Sequence, residues 1–344
     1  MENRQTYHII GAGIAGLYSA KVIKEQNHNA KVVLYDAAEK IGGKCASIFS
    51  KQFDCMIDNA THVVLNCNKN TSTIIGKHDN LIKFWNLQNN KFINKISCLK
   101  EIELAIFNTE NADWKCRLFA IKKLFPFLRI KGFFSTGNLE NILCKPLCQY
   151  VDEFKYGYVW KGISANNNHI SELIFNQDKV KVANKDVVIS AIDSFNYNKI
   201  FGGYDFEYNT ITNVFYRTSM ALTLPKKQKM LGIIKGKSQW IFATNNYIAV
   251  TISNARDNIN VNEIWQEICK IRNYNSAFLP KNIVLNYKRA TIKQDYKNNN
   301  LRPTSACTVY DNMFICGDWT MKNRPCCIET AIESAIRIGN IFSK

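Results

Sequence analysis

The strongest constraint on this chain lies at its start. The apolar run Tyr7-His8-Ile9-Ile10 passes directly into Gly11-Ala12-Gly13-Ile14-Ala15-Gly16, and Leu17-Tyr18-Ser19-Ala20-Lys21-Val22-Ile23 follows with helical spacing. Strand, G-x-G-x-x-G and helix in that order are what a dinucleotide site requires. Gly11 permits the tight turn, Gly13 lets the backbone approach a pyrophosphate, and Gly16 lets the helix pack on the strand. Ala15 lies in the same turn, and the helix N-terminus faces the negative charge. A second run, Lys31-Val32-Val33-Leu34-Tyr35, ends at Asp36, twenty positions after Gly16, where an acidic side chain binds ribose hydroxyls. An acid there suits a free 2′-hydroxyl, as in FAD or NAD, and disfavours NADP.

Bulk properties narrow the setting. A length of 344 residues is enough for about two domains and a sizeable core. With 46% hydrophobic and 21% charged residues, the chain is globular rather than disordered or fibrous. No apolar run approaches the ~20 residues that span a bilayer. The polar start and the short first apolar run do not form a signal peptide, so the expected location is cytoplasmic, with at most peripheral attachment to the inner face of the membrane. The twelve cysteines are scattered, and neither Cys144 with Cys148 nor Cys326 with Cys327 has metal or redox spacing. With five dispersed histidines as well, no metal is expected, and the cysteines read as small buried hydrophobes in a reducing compartment. The net charge of +17 points to an anionic partner. A membrane surface ranks above nucleic acid, because no nucleic-acid module is visible. The abundance of Lys, Asn and Ile throughout offers a second source of that charge, namely biased base composition.

The other end carries a matching pattern. Asn312-Met313-Phe314-Ile315-Cys316 reads as a buried strand running into Gly317-Asp318-Trp319-Thr320, and Pro325-Cys326-Cys327-Ile328-Glu329 opens a helix. Asp186-Val187-Val188-Ile189-Ser190-Ala191-Ile192 is the continuous apolar run of a strand covered on both faces. After Asp36, Glu39-Lys40-Ile41-Gly42-Gly43-Lys44 forms a second glycine turn. Together these segments resemble the FAD-binding amine oxidase and carotenoid desaturase superfamily, whose extended fingerprint runs from an acid to Gly-Gly-Arg. Here Asp36 stands for Glu and Lys44 for Arg, which keeps the charges but loses the planar fork of the guanidinium. The resemblance implies FAD held by Gly11, Gly13, Ala15, Gly16, Asp36, Gly43 and Lys44 from one end and by Gly317, Asp318, Ile328 and Glu329 from the other. Asp318 would bond the ribityl or pyrophosphate region. Amides around Cys327 and Glu329 would face the pyrimidine end of the isoalloxazine ring, where a helix dipole stabilises negative charge. The expected fold is α/β. An FAD-binding Rossmann-like domain would be assembled from residues 1–66, 155–200 and 305–344, with a small sheet across 158–182. Residues 67–154 and 201–304 would form an inserted α+β, partly helical domain facing substrate and membrane.

The resemblance narrows at Asp58-Asn59-Ala60-Thr61-His62. The hydroxysqualene dehydroxylases, also described as squalene-associated FAD-dependent desaturases, carry Asp-Asn-Gly-x-His at this place, and Ala60 departs from the glycine. Val63-Val64-Leu65-Asn66-Cys67, Lys288-Arg289-Ala290-Thr291 and Arg302-Pro303 are similar to that family too, and the chain looks shorter in its middle than a typical member. The likeness implies a long isoprenoid alcohol in an apolar tunnel reaching the flavin, and reductive loss of its hydroxyl. Asp58 and His62 are then the catalytic candidates, positioning or protonating the hydroxyl; holding the loop in shape is their alternative role. There is no second dinucleotide motif, so the electron donor must be a transient partner. Two other readings stay open. One is a carotenoid or phytoene-type desaturase, running the flavin oxidatively. The other is a degenerate, non-catalytic FAD-fold protein that binds a partner or nucleic acid. Finally, residues 118–131 interleave basic and large apolar side chains. That suits an interfacial segment with Lys122, Lys123, Arg129 and Lys131 toward anionic lipid; a core helix is the competing assignment.

Overall fold

The computed structural model describes residues 4–59, 61–76, 78, 80–93, 99–124, 131–135, 137–218, 224–255, 259–275 and 278–343. Ala60, Arg129 and their masked neighbours therefore lie outside the described residues. Both chain ends build one parallel sheet. Its strand order is Met313–Ile315, Val187–Ser190, Thr6–Ile10, Lys31–Asp36 and Glu153–Tyr156, and all four pairings are parallel. The register sets Ile10 opposite both Tyr35 and Ser190, and Ser190 opposite Ile315. The carboxyl ends of these strands consequently share one edge. The chain leaves Thr6–Ile10 on one side and returns on the other, which makes the crevice at which α/β sheets bind ligands.

Strand Val187–Ser190 shows why the continuous apolar run is needed. Val187 and Ile189 enter the core beneath the helices Ile14–Gln26 and Ile328–Phe342, while Val188 enters the core on the opposite face. That second face is covered by a three-stranded antiparallel sheet, Trp160–Asn166, His169–Phe175 and Lys179–Lys181, and by the helix Ser194–Phe201. The expected α/β class and Rossmann-like domain are the architecture seen.

A second, seven-stranded sheet has the order Asn282–Ile292, Tyr208–Arg217, Tyr247–Ser253, Trp240–Ala243, Met230–Ile234, Lys83–Asn86 and Lys91–Phe92. It is antiparallel except where Met230–Ile234 meets Lys83–Asn86. The helix Val261–Arg272 buries Ile264, Trp265 and Ile268 against it. Asn260 starts that helix by accepting the amides of Asn262 and Glu263, and Asn273 ends it in the left-handed region.

One expected boundary differs. The sequence places residues 67–154 in the inserted domain, yet Leu139, Leu143, Cys144 and Leu147 within that range pack into the core that holds Ile14–Gln26. Helix Lys69–Ile75 is likewise docked on Ile328–Phe342.

Candidate active site

The glycine turn sits where the parallel strands end. Gly11 has φ +115°, and its amide donates to Tyr35 O at 2.7 Å; a Cβ there would meet Ala191 O at 2.7 Å. Gly16 is a close-approach position, since a Cβ would lie 2.0 Å from Gly11 O. Gly13 is different: a Cβ would meet nothing within 4 Å. It caps helix Ile14–Gln26 with no side-chain cap, so the first helical amides, including those of Ala15 and Gly16, are left for an anion. The second glycine turn closes against this one, with Gly42 N donating to Ala12 O at 2.9 Å. Gly13 and Gly42 form a bridge, and a Cβ on Gly43 would lie 3.4 Å from Gly13 Cα. Asp36 accepts the amides of Ala12 at 2.6 Å and Ala38 at 2.7 Å; its oxygens keep lone pairs for ribose hydroxyls. An uncapped helix end, an open glycine and an acid with acceptor capacity to spare together fit a dinucleotide.

The closing segment completes the crevice from the other chain end. Gly317 N donates to Ser334 Oγ at 2.8 Å. Lys44 joins the two ends: its Nζ donates to Ala290 O at 2.8 Å and lies 3.8 Å from Asp318 Oδ2. Burial opposes the charge on Lys44, but the carboxylates of Asp318 and Asp193 nearby outweigh it and hold its pKa above the ordinary lysine value. Helix Ile328–Phe342 also starts without a side-chain cap. The side chains of Ile328 and Glu329 do not face the crevice. Ile328 is in the core, and Glu329 accepts the backbone amides of Asn70 and Thr71 and the Thr71 hydroxyl at 2.7–3.0 Å. Only the backbone at these two positions can serve a ligand. Burial raises the pKa of Cys326 to about 12 and that of Cys327 above the usual thiol value, so both stay protonated. Among the described residues no cluster of His, Cys, Asp and Glu could hold a metal.

Asp58 and His62 have different surroundings. Asp58 is 3% exposed. Its Oδ1 accepts Ser47 Oγ at 2.8 Å and Leu139 N at 3.0 Å, and its Oδ2 accepts Gly137 N at 3.0 Å. The carboxylate thus ties strand Cys55–Asp58 to residues 137–139. His62 is half-buried, with Nε2 3.3 Å from Lys44 O. That contact assigns the proton to Nε2 and leaves Nδ1 as an acceptor. Burial lowers the pKa of His62 below the ordinary histidine value, against opposing pulls from the Lys44 carbonyl and Asp58.

The second sheet contributes residues that sequence reasoning missed. Tyr287 Oη donates to Asn59 Oδ1, and Asn59 Nδ2 to Gly43 O at 3.4 Å. Asn213, fully buried, accepts Thr61 Oγ1 at 2.9 Å and Thr251 Oγ1 at 2.8 Å. Arg302, 2% exposed, donates to the carbonyls of Asp318, Trp319 and Arg324. Gln294 accepts Cys326 N at 2.9 Å. The Arg302-Pro303 pair was visible as a motif; its task as a clamp on the 318–324 loop was not.

Fold and site together define a Rossmann-type, dinucleotide-dependent oxidoreductase, and a family model for NAD(P)-binding Rossmann-like domains matches residues 9–77. Over nearly its whole length the chain resembles curated hydroxysqualene dehydroxylases. It is 24% identical to that of Sinorhizobium fredii, covering 97% of each chain. It is 25% identical to that of Zymomonas mobilis, covering 95% and 96%, and 24% identical to that of Rhodopseudomonas palustris, covering 98% of each. The first alignment runs over 420 positions against 344 residues here, so that relative carries segments this chain lacks. Among solved structures, an oxidoreductase from Methanosarcina mazei superposes with a TM-score of 0.73 at 10% identity, covering 99% of this chain and all of the other. A chain from Exiguobacterium sp. assigned as a protoporphyrinogen oxidase gives 0.68 at 11% identity and 98% coverage of each. The family resemblance read from the two chain ends therefore extends through the middle.

Proposed function

We propose that the dinucleotide is FAD and that the chain removes the hydroxyl of hydroxysqualene reductively, giving squalene. The observation carrying this reading is the likeness to hydroxysqualene dehydroxylases across nearly the whole chain. The Gly42-Gly43-Lys44 turn and the Gly317-Asp318 segment, joined through Lys44 and Asp318, favour FAD over NAD. Gly11, Gly13, Gly16, Asp36 and the helix amides at Ala15 would hold its adenosine and phosphates. Lys44, Asp318 and the amides at Ile328 and Glu329 would hold its other end. Bound there and reduced, FAD supplies a hydride. The substrate's C–O bond breaks with its electron pair going to oxygen. A proton from the protein would convert that oxygen to water, and the carbon left behind is what a hydride from the cofactor would reduce. His62 is the proton carrier: Nδ1 accepts the substrate hydroxyl when neutral and donates to it when protonated. Asp58 positions the loop that bears it.

The pKa of His62 gives the sign of the pH dependence. Its depressed value means the protonated form is scarce at neutral pH and grows as pH falls. The turnover rate is therefore expected to rise toward acid pH and level off below the ordinary histidine range. His62→Gln is expected to remove that rise and slow turnover by ~10²-fold, with cofactor content intact. A pH profile of kcat for both proteins checks this, and an identical rise in the variant would show that another group carries the proton. Cofactor released from the denatured protein is expected to chromatograph as FAD; recovery of a nicotinamide alone would sink the assignment.

A further inference from the structure

We infer that helix Trp114–Leu124 docks this protein on an anionic lipid bilayer. The helix is turned inside out relative to an ordinary surface helix. Its small residues Cys116 and Ala120 face the protein, packed with Phe107 and Ala112. Its large apolar residues Trp114, Leu118 and Ile121 are 60%, 42% and 54% exposed. These three stand at i, i+4 and i+7 and so share one face, the spacing that ordinarily points a stripe into a core.

The residues beside that stripe identify what covers it. Lys115 and Lys122 are exposed and make no ion pair among the described residues; the Lys115 ammonium lies 5.6 Å from the Trp114 ring centroid. An apolar ridge with a leading tryptophan and flanking lysines is complementary to a bilayer interface bearing negative headgroups. The formal charge of +17 extends the attraction beyond the helix. The other cations of the helix belong to the protein side: Arg117 pairs with Glu103 at 2.7 Å and Lys123 with Glu333 at 3.3 Å. Lys123 is thus removed from the set of lipid-facing residues expected from sequence, and the face begins at Trp114 rather than at residue 118. No helix among the described residues is long and apolar enough to cross a membrane, so the attachment is lateral. This inference rests on exposure and charge and holds whichever substrate the site takes.

Flotation of the full-length protein with vesicles tests it. Wild type is expected to float with equimolar phosphatidylcholine and phosphatidylglycerol, to stay behind with phosphatidylcholine alone, and to be released by high salt. Joint replacement Trp114→Ser, Leu118→Ser and Ile121→Ser is expected to abolish flotation. Lys115→Gln with Lys122→Gln is expected to lower the partition coefficient roughly 30-fold. All of these side chains are exposed, so the thermal transition and bound cofactor should match wild type and report that the variants fold. Wild type that fails to float, or a triple serine variant that floats equally well, overturns the proposal. It is also overturned if light scattering shows a wild-type dimer that the serine variant dissociates, since the face would then belong to a second copy.

Discussion

A Gly13→Val variant is expected to fold and to retain no cofactor. Gly13 has φ −76° and ψ 178°, extended backbone that valine accepts. The added Cβ meets no protein atom within 4 Å, so the fold leaves room at that position. The space it enters is bounded by uncapped helical amides and the Gly42-Gly43 turn, where a pyrophosphate would approach the backbone. Side-chain volume there displaces the ligand rather than the protein. Gly16→Val should behave in the opposite way. Its Cβ would lie 2.0 Å from Gly11 O, a clash with backbone that forces the helix off the strand. Flavin absorbance of purified protein, read beside its circular dichroism, separates the two. Cofactor retained by a folded Gly13→Val protein would mean that the phosphates lie elsewhere.

Asp58→Asn is expected to lose about 3 kcal/mol of stability, with turnover falling as the loop is released. The carboxylate accepts three hydrogen bonds, from Ser47, Gly137 and Leu139. Whichever way an asparagine amide turns, its NH₂ faces a donor. At least one buried N–H is then left without an acceptor, a loss of about 1–3 kcal/mol for each broken contact. The consequence reaches His62 four residues on, because strand Cys55–Asp58 is the base from which that loop departs. Denaturant unfolding of wild type and variant measures the loss. If Asp58 were instead the proton donor, Asp58→Asn would leave stability nearly unchanged while abolishing turnover.

The parts of this molecule legible in the sequence are those set by local demands. Gly11, Gly13 and Gly16 are spaced by the geometry of one turn, and Asp36 by the length of one helix and strand. The continuous apolar run at residues 187–189 announces burial on both faces before any partner is known. What is not legible depends on contacts between distant segments. Glu329 sits in a motif associated with the cofactor, yet its carboxylate caps helix Lys69–Ile75, some 260 residues earlier in the chain. Nothing local distinguishes an acid that caps a distant helix from one that binds a ligand. The same holds for Arg302, whose three carbonyl acceptors belong to a loop that comes later in the chain. Residues 138–150 carry no strong period and form short π and 3₁₀ turns, so their place in the first core emerges only from packing. On helix Trp114–Leu124 the periodicity is plain, but periodicity alone does not say which face is turned outward.

The proposed function requires electrons to flow from bound, reduced FAD to the substrate. Enzyme reduced beforehand and held without oxygen should be reoxidised by hydroxysqualene, with flavin absorbance returning as squalene accumulates in equal amount. The oxidised enzyme should be unaffected by phytoene-like polyenes. A reduced flavin left unchanged by hydroxysqualene, together with bleaching of the oxidised form by a polyene, would contradict the account and assign the chain to desaturation instead.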